Sequence, residues 1–173
     1  MTLIIAPRSR VSILCAAHAP SHVLSLLSPG GDAPIEIASD KQCFNLTVND
    51  ITTPVSGLVV PDQTAIRRLL DFGAGWSGET PFLVYCWAGI SRSPAAAFAL
   101  ACQHFPDIAE DAIALALRKS APWVTPNPLI VRIADDLLGR AGRMVRAVAR
   151  IGRGVDAPEG APIFLSRNNI ASG

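Results

Sequence analysis

One stretch of this chain fixes its architecture more firmly than any other. Residues 81–86 read Pro-Phe-Leu-Val-Tyr-Cys, an apolar run suited to a buried strand, and residues 94–102 form an alanine-rich run suited to a buried helix with Pro94 in its first turn. Between them lies Trp87-Ala-Gly-Ile-Ser91, followed by Arg92 and Ser93 at the helix start. A strand that passes into a helix through so short a glycine-containing loop can aim the backbone N–H groups of residues 87 to 92 at one point. The positive end of the helix dipole reinforces that point as an anion site. Cys86 stands at its centre, and Arg92 closes it.

The rest of the sequence supplies a frame for this unit. Thr2 to Ala6, His22 to Leu27 and Cys43 to Val48 read as strands, the last with near alternation of apolar and polar residues. Val11 to Ala17 reads as a short helix, Pro61 to Phe72 as a longer one with Asp62 in its first turn, and Asp107 to Arg118 as another. Asn127-Pro128 is an N-cap followed by proline at the first helical position, and the spacing predicts one last helix running to about Ile151. In it Ile130, Ala134, Leu137, Ala141, Met144, Val148 and Ile151 form a core stripe, while Arg140, Arg143, Arg146 and Arg150 form a solvated face. Strands alternating with helices imply an α/β fold, a mainly parallel central sheet with helices on both faces. The main domain is expected over residues 1–151, and the glycine- and proline-containing remainder, 152–173, as a loosely ordered tail.

The Cys-x5-Arg-Ser sequence of Cys86, Arg92 and Ser93 resembles the signature of the cysteine-dependent protein tyrosine phosphatase superfamily, in its compact dual-specificity-like bacterial branch. Asn49-Asp50-Ile51 is similar to that family's acid loop, and Pro126-Asn127 with the following apolar helix to its closing helix. The resemblance spans about residues 1–138. Tyr85 departs from it, since the family usually places histidine before the nucleophile.

The resemblance implies hydrolysis of phosphotyrosine, and of phosphoserine or phosphothreonine, on a phosphorylated protein substrate. Such chemistry needs a nucleophile, neutralisation of charge on three equatorial oxygens, and a proton for the leaving group. Cys86 would attack phosphorus as a thiolate and form a phosphocysteine intermediate, reached by solvent through the loop. The planar fork of Arg92 and the amides of Trp87, Ala88, Gly89, Ile90, Ser91 and Arg92 would hold the phosphoryl oxygens. Ser93 can hydrogen-bond the sulfur or serve simply as a helix-start hydroxyl.

For the proton donor the upstream acids are Asp32, Asp40, Asp50, Asp62, Asp71 and Glu79. Sites in such sheets lie beyond the carboxyl ends of the strands. Asp50 stands just past the strand ending at Val48, which makes it the expected acid. Trp87 could rim the pocket, although an aromatic is more often core. No metal and no cofactor are expected, because Arg92 and the amides neutralise the charge.

Composition sets outer bounds. With 15 Lys and Arg against 14 Asp and Glu, nothing in the net charge of +1 favours nucleic acid. No apolar run reaches the length of a membrane span. The four cysteines lack zinc-ligand spacing and fit a reducing, cytoplasmic setting. The alternatives carried forward are a phosphoinositide or RNA 5′-phosphate phosphatase using the same loop, and a catalytically silent phosphate-binding module.

Overall fold

The most apolar runs of the chain lie side by side at its centre. The computed structural model describes residues 1–37 and 39–171. Its strands are β1 (Thr2–Pro7), β2 (His22–Leu27), β3 (Gln42–Thr47), β4 (Phe82–Cys86) and β5 (Ile163–Ser166), in the sheet order β3-β2-β4-β1-β5. The first four are parallel to one another, and β5 runs antiparallel beside β1. β1, β2 and β4 are buried almost throughout, as parallel strands covered on both faces must be. β3, at the edge, is mostly exposed, in keeping with its alternating sequence.

The helices are α1 (Val11–His18), α2 (Gln63–Ala74), α3 (Arg92–His104), α4 (Glu110–Ser120), α5 (Pro128–Leu137), α6 (Arg143–Ile151) and α7 (Arg167–Ala171). They cover the two faces unequally. Val11 and Leu14 of α1 meet Ile4, Ala6, Val23, Leu27, Leu83 and Tyr85 on one side. The opposite residues of the same strands, Leu3, Ile5, Leu24, Leu26, Phe82, Val84 and Cys86, face the large core built with α2 to α6. The period-two alternation of a strand thus sends Tyr85 to one side and Cys86 to the other. None of the described helices is long and apolar enough to cross a membrane.

Three expectations require correction. The single helix over 128–151 is two helices, broken where Gly139, Ala141 and Gly142 take positive φ angles of 63°, 51° and 79°. The break places Ala141 on the surface rather than on the core stripe, and it is held by Asp135. That buried carboxylate accepts the N–H groups of Gly142 at 2.6 Å, Met144 at 2.7 Å and Val145 at 3.3 Å, and so caps α6. Arg140 does not join a solvated face either. Its guanidinium reaches buried Glu110 at 3.2 Å and the Cys102 carbonyl, while Arg143 meets the same Glu110 oxygen at 3.1 Å.

The expected loose tail is built into the sheet. Residues 163–166 pair with β1, burying Ile163 and Leu165, and Ile170 of α7 is buried as well. Without β5, β1 would present an unpaired row of N–H and C=O groups, and this pairing satisfies them. A smaller difference lies at α4, which begins at Glu110 rather than Asp107; Asp107 instead forms an ion pair with Arg167 of α7.

Because Asp135 accepts the Gly142, Met144 and Val145 amides at the start of α6, Asp135→Ala is expected to destabilise the fold by about 2–4 kcal/mol in urea unfolding. A loss under about 0.5 kcal/mol would show that water replaces the cap.

Candidate active site

The loop 87–91 joins the carboxyl end of β4 to α3, where the ends of β1, β2 and β3 also gather. Gly89 makes its tight path possible. Its φ is +71°, and a Cβ there would lie 2.7 Å from the Pro7 nitrogen, so the loop presses against the end of β1 with no space for a side chain.

The loop's carbonyls are claimed from outside. Trp87 O accepts from Arg8 N at 3.1 Å, Ala88 O from Gly160 N at 2.8 Å, Ile90 O from Thr125 N at 2.9 Å and Ser91 O from Asn127 N at 3.2 Å. In a planar trans peptide an outward oxygen turns the following N–H the other way, so the N–H groups of Ala88, Gly89, Ser91 and Arg92 are turned from these outer partners. Among the described residues, no backbone bond outside the helices and strands uses an N–H of residues 87–91.

Cys86 lies at the floor of this loop, deeper than an openly solvent-facing thiol. It keeps 2% exposure, so any group that meets the sulfur must enter the loop. Its Sγ is 3.1 Å from the hydroxyl of buried Ser93. Arg92 is also buried, and its guanidinium is divided in role. Nη1 donates to Ser28 Oγ at 3.0 Å and to Val48 O at 2.8 Å, tying the helix start to the ends of β2 and β3. Nε is buried without a hydrogen-bond partner. A buried charged donor left unsatisfied is costly unless an anion completes it.

Asp50 reaches this assembly from beyond β3. Its Oδ1 accepts from Ser91 Oγ and from Asn127 Nδ2, each at 2.8 Å, and its Oδ2 lies 3.9 Å from Arg92 Nε. Asn127 therefore works in two directions, since its Oδ1 also caps α5 at Leu129 N and Ile130 N. Asn49 closes the acid loop by exchanging hydrogen bonds with Val59.

The other singled-out residues fall as follows. Trp87 rims the pocket rather than joining the core, being 58% exposed. Ala88, Ile90 and Ser91 complete the ring. Asp62 is consumed as the N-cap of α2, accepting from Ala65 N at 2.7 Å. Tyr85, where the resembled family has histidine, points away from Cys86, and its hydroxyl accepts from Ile35 N at 3.0 Å to hold the 31–37 segment. His22 and His104 pack among aromatic rings, and burial lowers both imidazoles. Cys102 is buried well along α3 from Ser93, where desolvation pushes its thiol up.

Sequence reasoning missed the tail's contribution at Gly160, where a Cβ would collide with the Trp123 ring at 2.5 Å. Glu159 adds a hydrogen bond from Ser9 Oγ at 2.7 Å. The glycine was visible, but nothing local connected it with a loop some seventy residues away.

Gly89→Ala is expected to weaken binding of tungstate, a tetrahedral oxyanion, by at least about tenfold, because the added methyl must displace the loop from β1. Unchanged tungstate affinity by calorimetry would mean that the ring of amides is not the anion site.

No protein-family model matches the sequence, and no curated protein matches it. Solved structures do match. DUSP15 superposes with a TM-score of 0.59 at 17% identity, over 86% of this chain and 89% of its own. PTPMT1, also solved in complex with PI(5)P, gives 0.58 at 14% identity over 81% and 94%. Human DUSP28 gives 0.57 at 15% identity over 80% and 94%. These neighbours are cysteine-based phosphatases of the dual-specificity group, and the chain has their fold.

Proposed function

We propose that this chain is a phosphomonoesterase that hydrolyses phosphotyrosine, and also phosphoserine or phosphothreonine, on proteins through a phosphocysteine intermediate. The observation that carries the reading is the buried Nε of Arg92, which makes no hydrogen bond and lies 3.9 Å from Asp50 Oδ2, beside the loop whose carbonyls are held from outside with Cys86 at its floor.

In the first step the Cys86 thiolate forms a bond to phosphorus while the bond to the leaving oxygen breaks. The loop amides and Arg92 take the charge on the three equatorial oxygens, a preorganised set whose individual donors contribute about 3 kcal/mol each in comparable sites. Asp50, protonated, gives its proton to the leaving oxygen. Oδ1 is already occupied by Ser91 and Asn127, which leaves Oδ2 for this transfer. In the second step Asp50, now a carboxylate, accepts a proton from water as that water attacks phosphorus. The sulfur then leaves as a thiolate, with the Ser93 hydroxyl at 3.1 Å able to hydrogen-bond it.

Asn127 would set which carboxylate oxygen is free. Its conservative variant should therefore differ from its truncation.

The phosphoinositide reading draws support from the likeness to PTPMT1, but residues 87–91 carry no lysine for an additional phosphate. The free cysteines suit a cytoplasmic enzyme.

With 4-nitrophenyl phosphate, wild-type protein is expected to turn over and Cys86→Ser to fall to background; equal rates would refute the enzyme. Asp50→Asn is expected to slow an alkyl phosphate by roughly 10², and a nitrophenyl ester, whose leaving group needs no proton, far less. Equal slowing of both esters would remove Asp50 as the acid. Asn127→Ala should lower kcat with little change in KM and flatten the alkaline limb of the pH profile, the side on which a proton donor is lost, while Asn127→Gln recovers part of it. A pure loss of stability with an unaltered profile would leave Asn127 only its capping role.

A further inference from the structure

Of the peptide units that make the turn from Trp87 to Arg92, all but one are anchored by their oxygens. The exception joins Gly89 to Ile90. Among the described residues Gly89 O accepts no hydrogen bond and Ile90 N donates none, although Gly89 is buried. The unit is planar and trans, so a donor that draws its oxygen outward also turns the Ile90 N–H inward. One orphaned donor borders it. Trp123 Nε1 is buried and makes no hydrogen bond.

We propose that Trp123 is the positioning residue of this unit: with an oxyanion in the loop, its indole N–H donates to Gly89 O and so aims the Ile90 N–H at the anion. The proposal rests on the anion site of the phosphatase reading and adds to it the one loop amide that the backbone bonds leave unset.

Two observations bring the pair together. Gly160 is pressed by both groups, since a Cβ there would lie 2.5 Å from Trp123 Nε1 and 3.3 Å from Gly89 O. Only a residue without a side chain leaves them bordering the same small space. The order of partners along the loop agrees. Gly160 N serves Ala88 O at 2.8 Å, Thr125 N serves Ile90 O at 2.9 Å and Asn127 N serves Ser91 O at 3.2 Å. Every second residue of this approach to α5, 127 and then 125, thus meets successive carbonyls, and 123 falls next in line for Gly89. Here the side chain carries the donor.

The indole has little freedom to look elsewhere. Trp123 packs against the large core, and Gly154 lies so near its backbone that a Cβ there would stand 2.5 Å from the Trp123 carbonyl oxygen. Each group left unmet carries the desolvation penalty of a buried donor or acceptor, and one bond between them removes both. The pull of an anion on the Ile90 N–H and the pull of the indole on Gly89 O rotate the unit in the same sense.

The test reads the indole directly, in Cys86→Ser protein isotope-labelled on the indole nitrogens. The Nε1–H resonances of Trp76, Trp87 and Trp123 are followed by nuclear magnetic resonance as tungstate is added, and are assigned through the single Trp→Phe variants. Trp76 is the internal reference, because its Nε1 already donates to Thr80 O at 2.8 Å. At saturation the Trp123 signal is expected to move downfield and its hydrogen exchange to slow by roughly tenfold or more, with Trp76 unchanged. Trp123→Phe, which keeps an aromatic ring but no N–H, should weaken tungstate binding by roughly 3- to 10-fold. If that variant does not fold, the indole signal decides. A tungstate-bound protein whose Trp123 indole neither shifts nor gains protection, or a folded Trp123→Phe that binds tungstate as tightly as its parent, overturns the role of Trp123 and leaves the loop an anion site. Failure of tungstate to bind overturns both. Loss of wild-type hydrolysis with these binding results intact would end the phosphatase reading alone.

Discussion

Four backbone hydrogen bonds decide what this fold can do. The carbonyls of Trp87, Ala88, Ile90 and Ser91 are each held by an N–H from elsewhere: the end of β1, the C-terminal segment, and two positions in the approach to α5. A short loop left to itself would turn its polar groups toward water in whatever way its φ and ψ angles allow. Here the outer shell takes the acceptors, and the donors converge. The proposed anion site is therefore a property of the whole domain, because the groups that hold its loop lie from residue 8 to residue 160.

The same division of labour runs through the side chains. Arg92 spends Nη1 on Ser28 and Val48 and so registers the helix start against two strand ends, while Nε makes no hydrogen bond. Asp50 gives Oδ1 to Ser91 and Asn127 and leaves Oδ2 near the pocket. In each case one atom is fixed by structural hydrogen bonds, and the remaining two, Arg92 Nε and Asp50 Oδ2, face each other at 3.9 Å. In the proposed reaction such partition would limit reorganisation when substrate arrives, which is how preorganised sites gain their effect.

Much of this was legible in the sequence, and the exceptions have physical causes. The parallel strands announced themselves because a strand buried on both faces is a continuous apolar run, and Cys86, Arg92 and Ser93 because strand, glycine loop and helix start are all local signals. Asp50 could be chosen from a rule about sheet edges. The break at Gly139 to Gly142 was underestimated because its cap, Asp135, reaches forward to α6 from within α5. Arg140 was read as surface because its partner Glu110 lies thirty residues earlier. The tail was read as loose because Ile163 to Ser166 is too short to signal a strand until the open edge of β1 is known. Trp87 was the reverse case: an aromatic that is more often core, though able to rim a pocket, is held exposed at the rim.

The most direct test of the central claim is a rapid acid quench during turnover of a phosphate-labelled aryl ester, followed by digestion and mass spectrometry. The account predicts one phosphoryl group on the peptide containing Cys86, gained as the alcohol is released and lost as phosphate appears. Steady turnover with no label on that cysteine, or with label on another side chain, would contradict it.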